Sequence, residues 1–364
     1  MKILIVGAGI AGLSLWHKLK SSDHEIDIIE KANEHAEKGA GICLPAHAVR
    51  QLANMGLKEQ VLACARKVQE VRFETSQRKL LASASLLEEP LNFQPFIALR
   101  RSELIDVLLE QAKTSVKYST TVKDISGNSS VTFNTGEVKT YDLIVAADGI
   151  NSQIRHQVFE QPDLLDLSVT NWRFCITSKN HEVQPSYLLG NNEVFMFYPI
   201  SNDEIYCYGQ ISDPKKYWYN LDDKAALQQV FAHYHESVLQ AINDSQHIVA
   251  GRLKSVQSRE VYKNNCVLIG DALHGCPPSL QQGVNMALED VAVLANALCK
   301  SQSIEDSLIE YKKLRLARID WVIKESNKTI KLAELGKYKV GRFIRNAIVK
   351  LTGPTNVQAW KKLI

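Results

Sequence analysis

A glycine-rich turn near the start of the chain separates a short apolar segment from an amphipathic one. Gly7, Gly9 and Gly12 form the pattern G-x-G-x-x-G after a strand predicted over 2–6. Glycines at this spacing allow a tight turn, close approach of the backbone to a pyrophosphate and close packing of the following helix on the strand. The free N–H groups and positive dipole end of that helix would face the phosphates. The turn, which includes Ala11, therefore predicts a dinucleotide-binding site.

An acidic residue follows the second predicted strand, 26–29. Glu30 lies 18 residues after Gly12. In dinucleotide-binding folds, a carboxylate at about this distance accepts hydrogen bonds from ribose hydroxyls. We predict that Glu30 and its neighbour Lys31 contact the bound dinucleotide. The alternative is a glycine-rich turn that binds no ligand.

A second group of residues suited to ligand binding follows a buried strand predicted over 266–269. Gly270 permits a sharp turn, which brings Asp271 to the carboxyl edge of the sheet, where doubly wound folds bind ligands. Two prolines stiffen the next loop, and Gly283 then opens a helix. The alternative is a structural helix start with Asp271 as its cap. The residues assigned to binding in this segment are Asp271, Pro278, Gly283, Val284 and Asn285.

The elements between these motifs indicate an α/β fold interrupted twice by an antiparallel sheet. A continuous apolar strand over 141–147 ends in Asp148-Gly149, so another acid emerges at the same sheet edge. A hairpin is predicted over 68–83, and a meander over 167–211. Helices are predicted over 224–235 and from a cap at Ser102 through Leu104, Leu108 and Ala112. We predict a Rossmann-type nucleotide-binding domain (1–67, 98–165 and 252–303), a substrate-binding β-sheet domain (68–97 and 166–251) and C-terminal helices (304–364).

Composition limits the class of protein. The chain has 364 residues, 45% of them apolar, and a net charge of +3, so we expect a large core and no nucleic-acid partner. Its seven cysteines are scattered without C-x-x-C spacing, which favours neither disulfides nor a metal site and fits a cytoplasmic location. Glycines interrupt the N-terminal apolar run, so we do not interpret it as a secretory signal, and we expect no integral membrane segment.

The whole pattern resembles the single-component FAD monooxygenases of the aromatic hydroxylase type, the family that includes p-hydroxybenzoate and salicylate hydroxylases. The likeness spans nearly the whole chain and includes three motifs. Residues 7–12 are similar to the first FAD motif of the family, 147–155 to its Asp-Gly motif, and 270–290 to its Gly-Asp motif. The resemblance implies an FAD cofactor, bound by Asp148, Gly149 and the residues named above.

Further positions follow from the same resemblance. Arg101 falls where the family has a flavin-contacting arginine, and Gly39-Ala-Gly-Ile-Cys-Leu-Pro45, which contains Gly41, resembles the segment that lines the flavin ring. Val122 is a further expected cofactor contact. The chain departs from the family where Gly-Gln-Gly is replaced by Gln281-Gln282-Gly283, which places a side chain near the flavin edge.

The chemistry implied is hydroxylation of an aromatic or phenol-like small molecule. NADH or NADPH reduces FAD, O2 adds to give a flavin 4a-hydroperoxide, and one oxygen atom passes to the ring. The protein must supply a dry cavity, orientation of the ring and a base or hydrogen-bond acceptor. The alternative is an FAD-dependent reductase or dehydrogenase on the same fold, without oxygen insertion.

Candidate catalytic residues come from the meander. Trp172 and Arg173 point to opposite faces of a strand, and Arg173 either holds an anionic group of the substrate or lies at the surface. Tyr198 and Tyr208 are candidates for a proton relay or a wall of the cavity, and the alternative is that they are buried tyrosines that pack the sheet. His47 and His274 are further candidates for a base, and His274 is favoured as structural within the flavin loop.

The C-terminal segment is basic. Residues 300–364 carry 15 Lys and Arg against 6 Asp and Glu. An apolar stripe there follows helical spacing and is flanked by basic residues. Two interpretations are open: peripheral contact with an anionic membrane, or a terminal helix docked on its own domain, which we favour. The stripe consists of Val340, Phe343, Ile344, Ala347, Ile348 and Leu351. The oligomeric state stays open.

Overall fold

The computed structural model describes residues 1–34, 40–127, 129–159, 164–177, 183–257, 259–301 and 303–364, so Gly39 lies outside the described residues. The strands are β1 (Lys2–Val6), β2 (Glu25–Ile29), β3 (Gly41–Leu44), β4 (Arg66–Val68), β5 (Glu70–Thr75), β6 (Leu80–Ser85), β7 (Phe96–Arg100), β8 (Val116–Lys117), β9 (Val122–Ser126), β10 (Ser130–Phe133), β11 (Val138–Thr140), β12 (Leu143–Ala146), β13 (Leu165–Thr177), β14 (Ser186–Leu189), β15 (Glu193–Pro199), β16 (Glu204–Ser212), β17 (Val249–Ser255), β18 (Tyr262–Lys263) and β19 (Cys266–Leu268).

The helices are α1 (Ile10–Leu19), α2 (Ala46–Ala53), α3 (Lys58–Cys64), α4 (Arg101–Leu109), α5 (Gln153–Phe159), α6 (Asp223–Val230), α7 (Glu236–Asp244), α8 (Asp271–His274), α9 (Gly283–Lys300), α10 (Ile304–Glu334), α11 (Lys339–Thr352) and α12 (Thr355–Lys362). Short 3-10 turns cover Leu91–Phe93, Trp218–Asn220, Pro278–Leu280 and Leu335–Lys337.

A six-stranded sheet carries the first group of motifs. Its order is β18-β19-β12-β1-β2-β8, and every pairing is parallel except that of β18 with β19. The central strand β1 is fully buried at Ile3, Leu4 and Ile5, as expected for a parallel sheet covered on both faces. Because β1, β2, β12 and β19 run in one direction, their carboxyl ends meet at one edge, which is where ligands bind in doubly wound folds.

A seven-stranded sheet forms the second layer. Its order is β17-β13-β16-β15-β14-β5-β6. The predicted hairpin supplies β5 and β6, and the predicted meander supplies β13 to β16. Strand β14 of the meander pairs with β5 of the hairpin, and this pair is parallel. The fold class predicted from the sequence is confirmed: an α/β sheet combined with a largely antiparallel sheet and C-terminal helices.

Two small sheets complete the strands. One has the order β3-β7-β4, and the other has the order β11-β10-β9 and precedes β12 in the chain. The first of them brings Gly41 against the seven-stranded sheet, since a Cβ atom at Gly41 would lie 2.5 Å from Tyr206. The absence of a side chain at Gly41 therefore permits β3 to approach the seven-stranded sheet closely.

Two predicted helix boundaries are wrong. Ser102 does not cap α4: Arg100 is the N-cap residue, and the Glu103 carboxylate accepts a hydrogen bond from its backbone N–H at 3.0 Å. The helix predicted over 224–235 ends at Val230. The next helix, α7, has His235 as its N-cap residue, and the His235 Nδ1 accepts from the backbone N–H of Ser237 at 3.2 Å. The predicted helix therefore combines α6 with the turn before α7.

The C-terminal helix α11 docks on its own domain, as favoured from the sequence, but it does so through the face opposite the apolar stripe. In α11 the stripe residues Val340, Phe343 and Leu351 are exposed, while Arg345 and Val349 are buried. Arg345 lies on the face opposite the stripe and donates from Nη2 to the carbonyl oxygen of Gly190 at 2.7 Å. This hydrogen bond attaches that face to the rest of the protein, so the stripe faces outward. Within the described ranges, we find no helix with the length and apolar character needed to cross a bilayer.

Candidate functional site

The glycine turn lies between β1 and α1. Gly7 has φ +105°, and a Cβ there would lie 2.5 Å from the carbonyl oxygen of Ala147. A Cβ at Gly12 would lie 1.9 Å from the carbonyl oxygen of Gly7, so this glycine lets α1 pack on the turn. Gly9 differs from both, because its Cβ would meet nothing within 4 Å. The space beside Gly9 is open at the N-terminus of α1, as a bound pyrophosphate requires.

Glu30 is held beside this turn. Its Oε2 accepts from the backbone N–H of Ala8 at 2.9 Å, and its Oε1 accepts from that of Ala32 at 3.0 Å. The carboxylate is thus fixed at the carboxyl ends of β1 and β2, where sequence reasoning predicts a ribose acceptor. Lys31 follows it and is exposed at the rim.

The turn at Gly270 meets the first glycine turn. Gly270 has φ +60°, and a Cβ there would lie 2.9 Å from the Cβ of Ala11. Asp271 follows at the exposed start of α8, and its Oδ1 would lie 3.8 Å from a Cβ at Gly283. Asp271 therefore stands beside the N-terminus of α9, whose dipole favours an anionic group at this place.

Asp148 closes the same edge after β12. Its Oδ2 accepts from the backbone N–H groups of Gln153 and Ile154 at 2.8 and 3.3 Å, so it caps α5. Its Oδ1 is buried without a hydrogen-bond partner in the described part of the chain. Burial raises the pKa of this carboxyl. Gly149 has φ +80°, and the space beside its Cβ position is open.

The other predicted cofactor contacts are distributed around this edge. Arg101 is the first residue of α4, and its backbone N–H donates to the carbonyl oxygen of Ala40 at 3.0 Å. The side chain of Val122 is buried in the core that also contains residues of β1 and β12. Pro278 is exposed and Val284 is half-buried. Their contacts with a cofactor stay predictions.

A buried network of charges holds α9 in place. Arg315 donates from Nε to Asp290 Oδ1 and from Nη1 to Glu289 Oε2, each at 2.7 Å. Burial alone would raise the pKa of the Asp290 carboxyl, but His274 and Arg315 hold it below its usual range. Asp290 Oδ2 also accepts from the backbone N–H of Gly270 at 2.9 Å. The network therefore fixes the Gly270 turn to α9 and α10.

The histidines belong to this scaffold. His274 Nε2 lies 2.6 Å from Asp290 Oδ2, so His274 is structural, as favoured from the sequence. His47 Nε2 lies 3.0 Å from Gln282 Oε1, which also accepts from Asn285 Nδ2 at 3.0 Å. Burial lowers the pKa of His47, with a smaller opposing effect from its hydrogen bond to Gln282, so its ring is neutral at neutral pH. These contacts are consistent with a role in positioning the loop that contains Gln282.

The groups at this edge of the sheet fit FAD. The edge combines an open space at a helix N-terminus beside Gly9, fixed carboxylates at Glu30 and Asp148 for hydroxyl groups, and Asp271 beside the start of α9. The Asn285 Oδ1 is also buried without a partner among the residues described. Unpartnered acceptors of this kind are stabilised when a ligand donates to them.

One face of the seven-stranded sheet points toward this edge. The strand register aligns Arg173 with Tyr208, Tyr208 with Met196, and Met196 with Tyr187. The neighbouring row aligns Cys175, Tyr206 and Tyr198. Trp172 points to the other face, where it is fully buried against α6 and α7. We call the first face the aromatic platform; it consists of Arg173, Tyr187, Met196, Tyr198, Tyr206 and Tyr208.

The platform meets the flavin-side elements at two points. The first is Gly41 against Tyr206. The second is Gln281, whose Nε2 donates to the hydroxyl of Tyr187 at 2.7 Å. Gln281 has φ +55°, a left-handed conformation that favours glycine, and its Oε1 is buried without a partner in the described ranges. Sequence reasoning noted the departure at Gln281 but missed Tyr187.

The predicted catalytic residues both lie on the platform. Tyr198 is fully buried, its hydroxyl is 3.5 Å from that of Tyr187, and burial raises its pKa, so it is a neutral phenol at pH 7. Arg173 is half-buried, and its Nε is buried without a hydrogen-bond partner among the described residues. The C-terminal helix closes one end: Trp360 packs on Phe96 and donates from Nε1 to the carbonyl oxygen of Leu280 at 2.8 Å.

Known proteins are similar to this chain in sequence and in fold. The family described as FAD binding domain matches residues 1–326. The 2-heptyl-3-hydroxy-4(1H)-quinolone synthase of Pseudomonas aeruginosa is 28% identical, with 96% of this chain and 94% of the relative covered. The aurachin C monooxygenase/isomerase of Stigmatella aurantiaca is 24% identical, with 99% and 96% covered. A crystal structure of a Klebsiella pneumoniae HpxO variant complexed with FAD has a TM-score of 0.90 at 22% identity, with 100% and 98% covered.

The chain therefore belongs to the FAD binding domain family, in the class of single-component FAD-dependent aromatic monooxygenases. This confirms the family and the cofactor predicted from the sequence. NAD(P)H is the typical reductant of the family. The alternative of a reductase or dehydrogenase without oxygen insertion is not favoured.

Proposed function

We propose that this monooxygenase hydroxylates a fused N-heteroaromatic ring of the 4-quinolone type. The overall reaction consumes NAD(P)H, a proton and O2, and it releases NAD(P)+, water and the ring with a C–OH bond in place of a C–H bond. The observation that carries the proposal is the hydrogen bond between Gln281 and Tyr187, which joins the loop before α9 to the aromatic platform.

FAD, when bound, supplies electron transfer from NAD(P)H to O2 and delivery of one oxygen atom. The chain supplies orientation and exclusion of water. Tyr198 and Tyr206 form a buried wall, and Trp360 with Phe96 closes one end of it. A water-poor space of this kind strengthens each hydrogen bond to the ring and protects the reactive step from hydrolysis.

Gln281 is suited to hold a ring N–H. Its Nε2 is engaged by Tyr187, so its Oε1 is the acceptor left for a ligand. A glutamine in the left-handed region carries a conformational cost relative to glycine. The proposed hydrogen bond to substrate offsets that cost. The neutral hydroxyls of Tyr187 and Tyr198 then donate to or accept from the ring substituents without acting as bases, because burial raises both pKa values.

Arg173 is proposed to stabilise negative charge on a ring oxygen. It lies three strands from Tyr187 in the same row, about 14 Å away at the usual strand spacing. A guanidinium near the oxygen of a quinolone or phenol favours the form with more electron density in the ring. That is the form an electrophilic oxygen donor attacks.

The relative from Pseudomonas aeruginosa supports this substrate class. Its name describes a quinolone with a ring N–H, a ring hydroxyl and a heptyl chain. An apolar and aromatic platform with one amide and one guanidinium offers complementary contacts to such a molecule. Aromatic acids with a single ring offer no N–H to Gln281.

We also propose the domain division predicted from the sequence, with one refinement. Strands β5 and β6 fall within 68–97, and most of β13 to β17 falls within 166–251. Because β17 extends to Ser255, the boundary set at 251/252 is moved to follow Ser255. A cytoplasmic location stays part of the proposal; all seven cysteines are free, which suits a reducing compartment.

The test is a substrate panel with the FAD-loaded enzyme. It contains 2-alkyl-4-quinolones of different chain length, 4-hydroxyquinoline, salicylate and p-hydroxybenzoate, each with NADH and with NADPH. We expect quinolones to accelerate NAD(P)H oxidation at least tenfold with little H2O2 release and with a product heavier by one oxygen atom. Coupled hydroxylation of only the single-ring acids would overturn the proposed substrate class.

A further inference from the structure

Helix α11 exposes an unusual amount of apolar side chain. The exposed fraction is 72% for Val340, 75% for Phe343 and 87% for Leu351, and Tyr338 just before the helix is 69% exposed. Single exposed apolar residues are ordinary, but a contiguous group on one short element marks an interaction surface. We call the exposed residues Tyr338, Val340, Phe343, Ile344, Ile348 and Leu351 the apolar face of α11.

The direction of this face is fixed by packing. At 3.6 residues per turn, Val340, Ile344 and Leu351 fall within about 40° of arc around the helix. Arg345 and Val349 lie on the opposite side, where both are buried. Arg345 donates to the carbonyl oxygens of Gly190 and Asn191 at 2.7 and 3.3 Å, so the helix is attached through a polar face and presents its apolar face outward.

The chain segment that carries the face has charged side chains of one sign. Residues 335–364 contain seven Lys and Arg and no Asp or Glu. Lys339 and Lys350 are exposed and lie beside Phe343 around the helix. Lys337 lies near the ring of Tyr338 at 5.9 Å from its centroid. An apolar face with a basic flank is complementary to an anionic lipid surface.

We propose that α11 docks on the surface of an anionic bilayer, with its axis in the membrane plane and its apolar face among the acyl chains. The exposed aromatic and aliphatic side chains supply the hydrophobic contact, and the lysines supply attraction to lipid phosphates. A second copy of the chain is the less suitable occupant. In a symmetric pair the same basic flank would meet itself, which costs free energy through like-charge repulsion.

Vesicle co-flotation of the full-length FAD-loaded protein tests this proposal. Vesicles of phosphatidylcholine alone are compared with vesicles that contain one quarter phosphatidylglycerol. We expect binding at least tenfold stronger to the anionic vesicles, and weaker binding as salt rises from 0.1 to 0.5 M, because salt screens the lysines. The measurement needs no turnover, so its outcome is independent of the proposed substrate.

Paired variants locate the contact. Phe343→Glu and Leu351→Glu, each at an exposed position, are expected to reduce vesicle binding at least tenfold and to keep FAD absorbance and the melting temperature. Leu314→Glu is the matched control, since Leu314 is 52% exposed on α10, outside the apolar face. It is expected to bind like the wild-type protein. Lys339→Glu with Lys350→Glu is expected to remove the preference for anionic vesicles.

Three results would overturn the proposal. The first is that the wild-type protein floats with neither type of vesicle. Another is an equal loss of binding in Leu314→Glu and Phe343→Glu. The third is a dimer in sedimentation velocity that Phe343→Glu converts to a monomer in the absence of lipid, which would assign the face to a second copy of the chain.

Discussion

Gln281 donates from its side-chain amide to the hydroxyl of Tyr187, 2.7 Å away, and so joins the loop before α9 to the aromatic platform of the seven-stranded sheet. The two residues are 94 positions apart in the chain. Both are polar groups in a mainly buried region, and Tyr187 also packs against Phe73 and Tyr198. Under the proposed function, this side chain lies where the substrate ring binds.

The bridge predicts a coupled effect on substrate binding. Gln281→Gly removes the acceptor and relieves the left-handed backbone, and Tyr187→Phe removes the hydroxyl that orients the amide. Each is expected to raise the KM for the accepted substrate about tenfold, to leave FAD affinity within twofold and to increase H2O2 release. Because both changes break one interaction, the double variant should show much less than the sum of the two effects. Additive effects would show that the two residues act separately.

The glycine turn predicts opposite behaviour for two glycines. Gly9→Ala adds a methyl group to open space, so the apo protein should keep its melting temperature while FAD affinity falls at least tenfold, since the methyl group occupies the pyrophosphate position. Gly12→Ala places a methyl group 1.9 Å from the carbonyl oxygen of Gly7, so the apo protein itself should be destabilised. Circular dichroism melts and FAD titration measure the two effects. Normal FAD affinity in Gly9→Ala would contradict the assigned phosphate position.

These local features are the part of the site that the sequence predicts well. The turn at Gly7 and the turn at Gly270 each depend on a few neighbouring residues, and their backbone requirements are visible as glycines. The helix that begins at Gly283 is also recognised from local signals. In contrast, the contact of Tyr187 with Gln281 depends on β14 pairing parallel with β5, a long-range choice that local patterns do not encode.

The C-terminal helix shows a different limit. Helical spacing identifies the stripe from Val340 to Leu351, but it does not determine what covers the stripe. Arg345, a residue expected at the surface, is buried because two backbone carbonyl groups at Gly190 and Asn191 accept from it. The direction of the helix is thus set by a tertiary hydrogen bond rather than by its hydrophobic pattern.

The buried charges beneath α9 predict a large effect on stability. Arg315→Met leaves Asp290 and Glu289 without their shared cation, and the free energy of unfolding should fall by about 3–5 kcal/mol. Arg318→Met is the matched control, because Arg318 is more exposed and contacts only Glu289 of the two acids. Its loss should be smaller. Denaturant unfolding of the FAD-loaded proteins measures both values, and equal losses would contradict the central role of Arg315.

His47 predicts a dependence of stability on pH. Burial lowers its pKa below the ordinary 6.5. The unfolded chain therefore binds a proton below about pH 6.5 that the folded chain does not bind, and stability falls as pH decreases from 6.5 to the folded pKa. The carboxyls of Glu289 and Asp290 have lowered pKa values and lose their contribution in a more acidic window.

His47→Gln is expected to reduce the change in melting temperature between about pH 7 and 5, because glutamine binds no proton in this range. A smaller slope should persist, because burial also lowers the pKa of His17. An unchanged slope in His47→Gln would show that another group is responsible.

The stoichiometry of oxygen use tests most directly whether this enzyme hydroxylates its substrate. Purified FAD-loaded enzyme is supplied with NADPH or NADH and a 2-alkyl-4-quinolone in 18O2, while O2 uptake, H2O2 release and product mass are followed together. We expect one O2 to be consumed per NAD(P)H oxidised, little H2O2, and one 18O atom in the hydroxylated ring. Substrate-dependent NAD(P)H oxidation that gives a reduced product, or only H2O2, without 18O in the product would contradict this expectation.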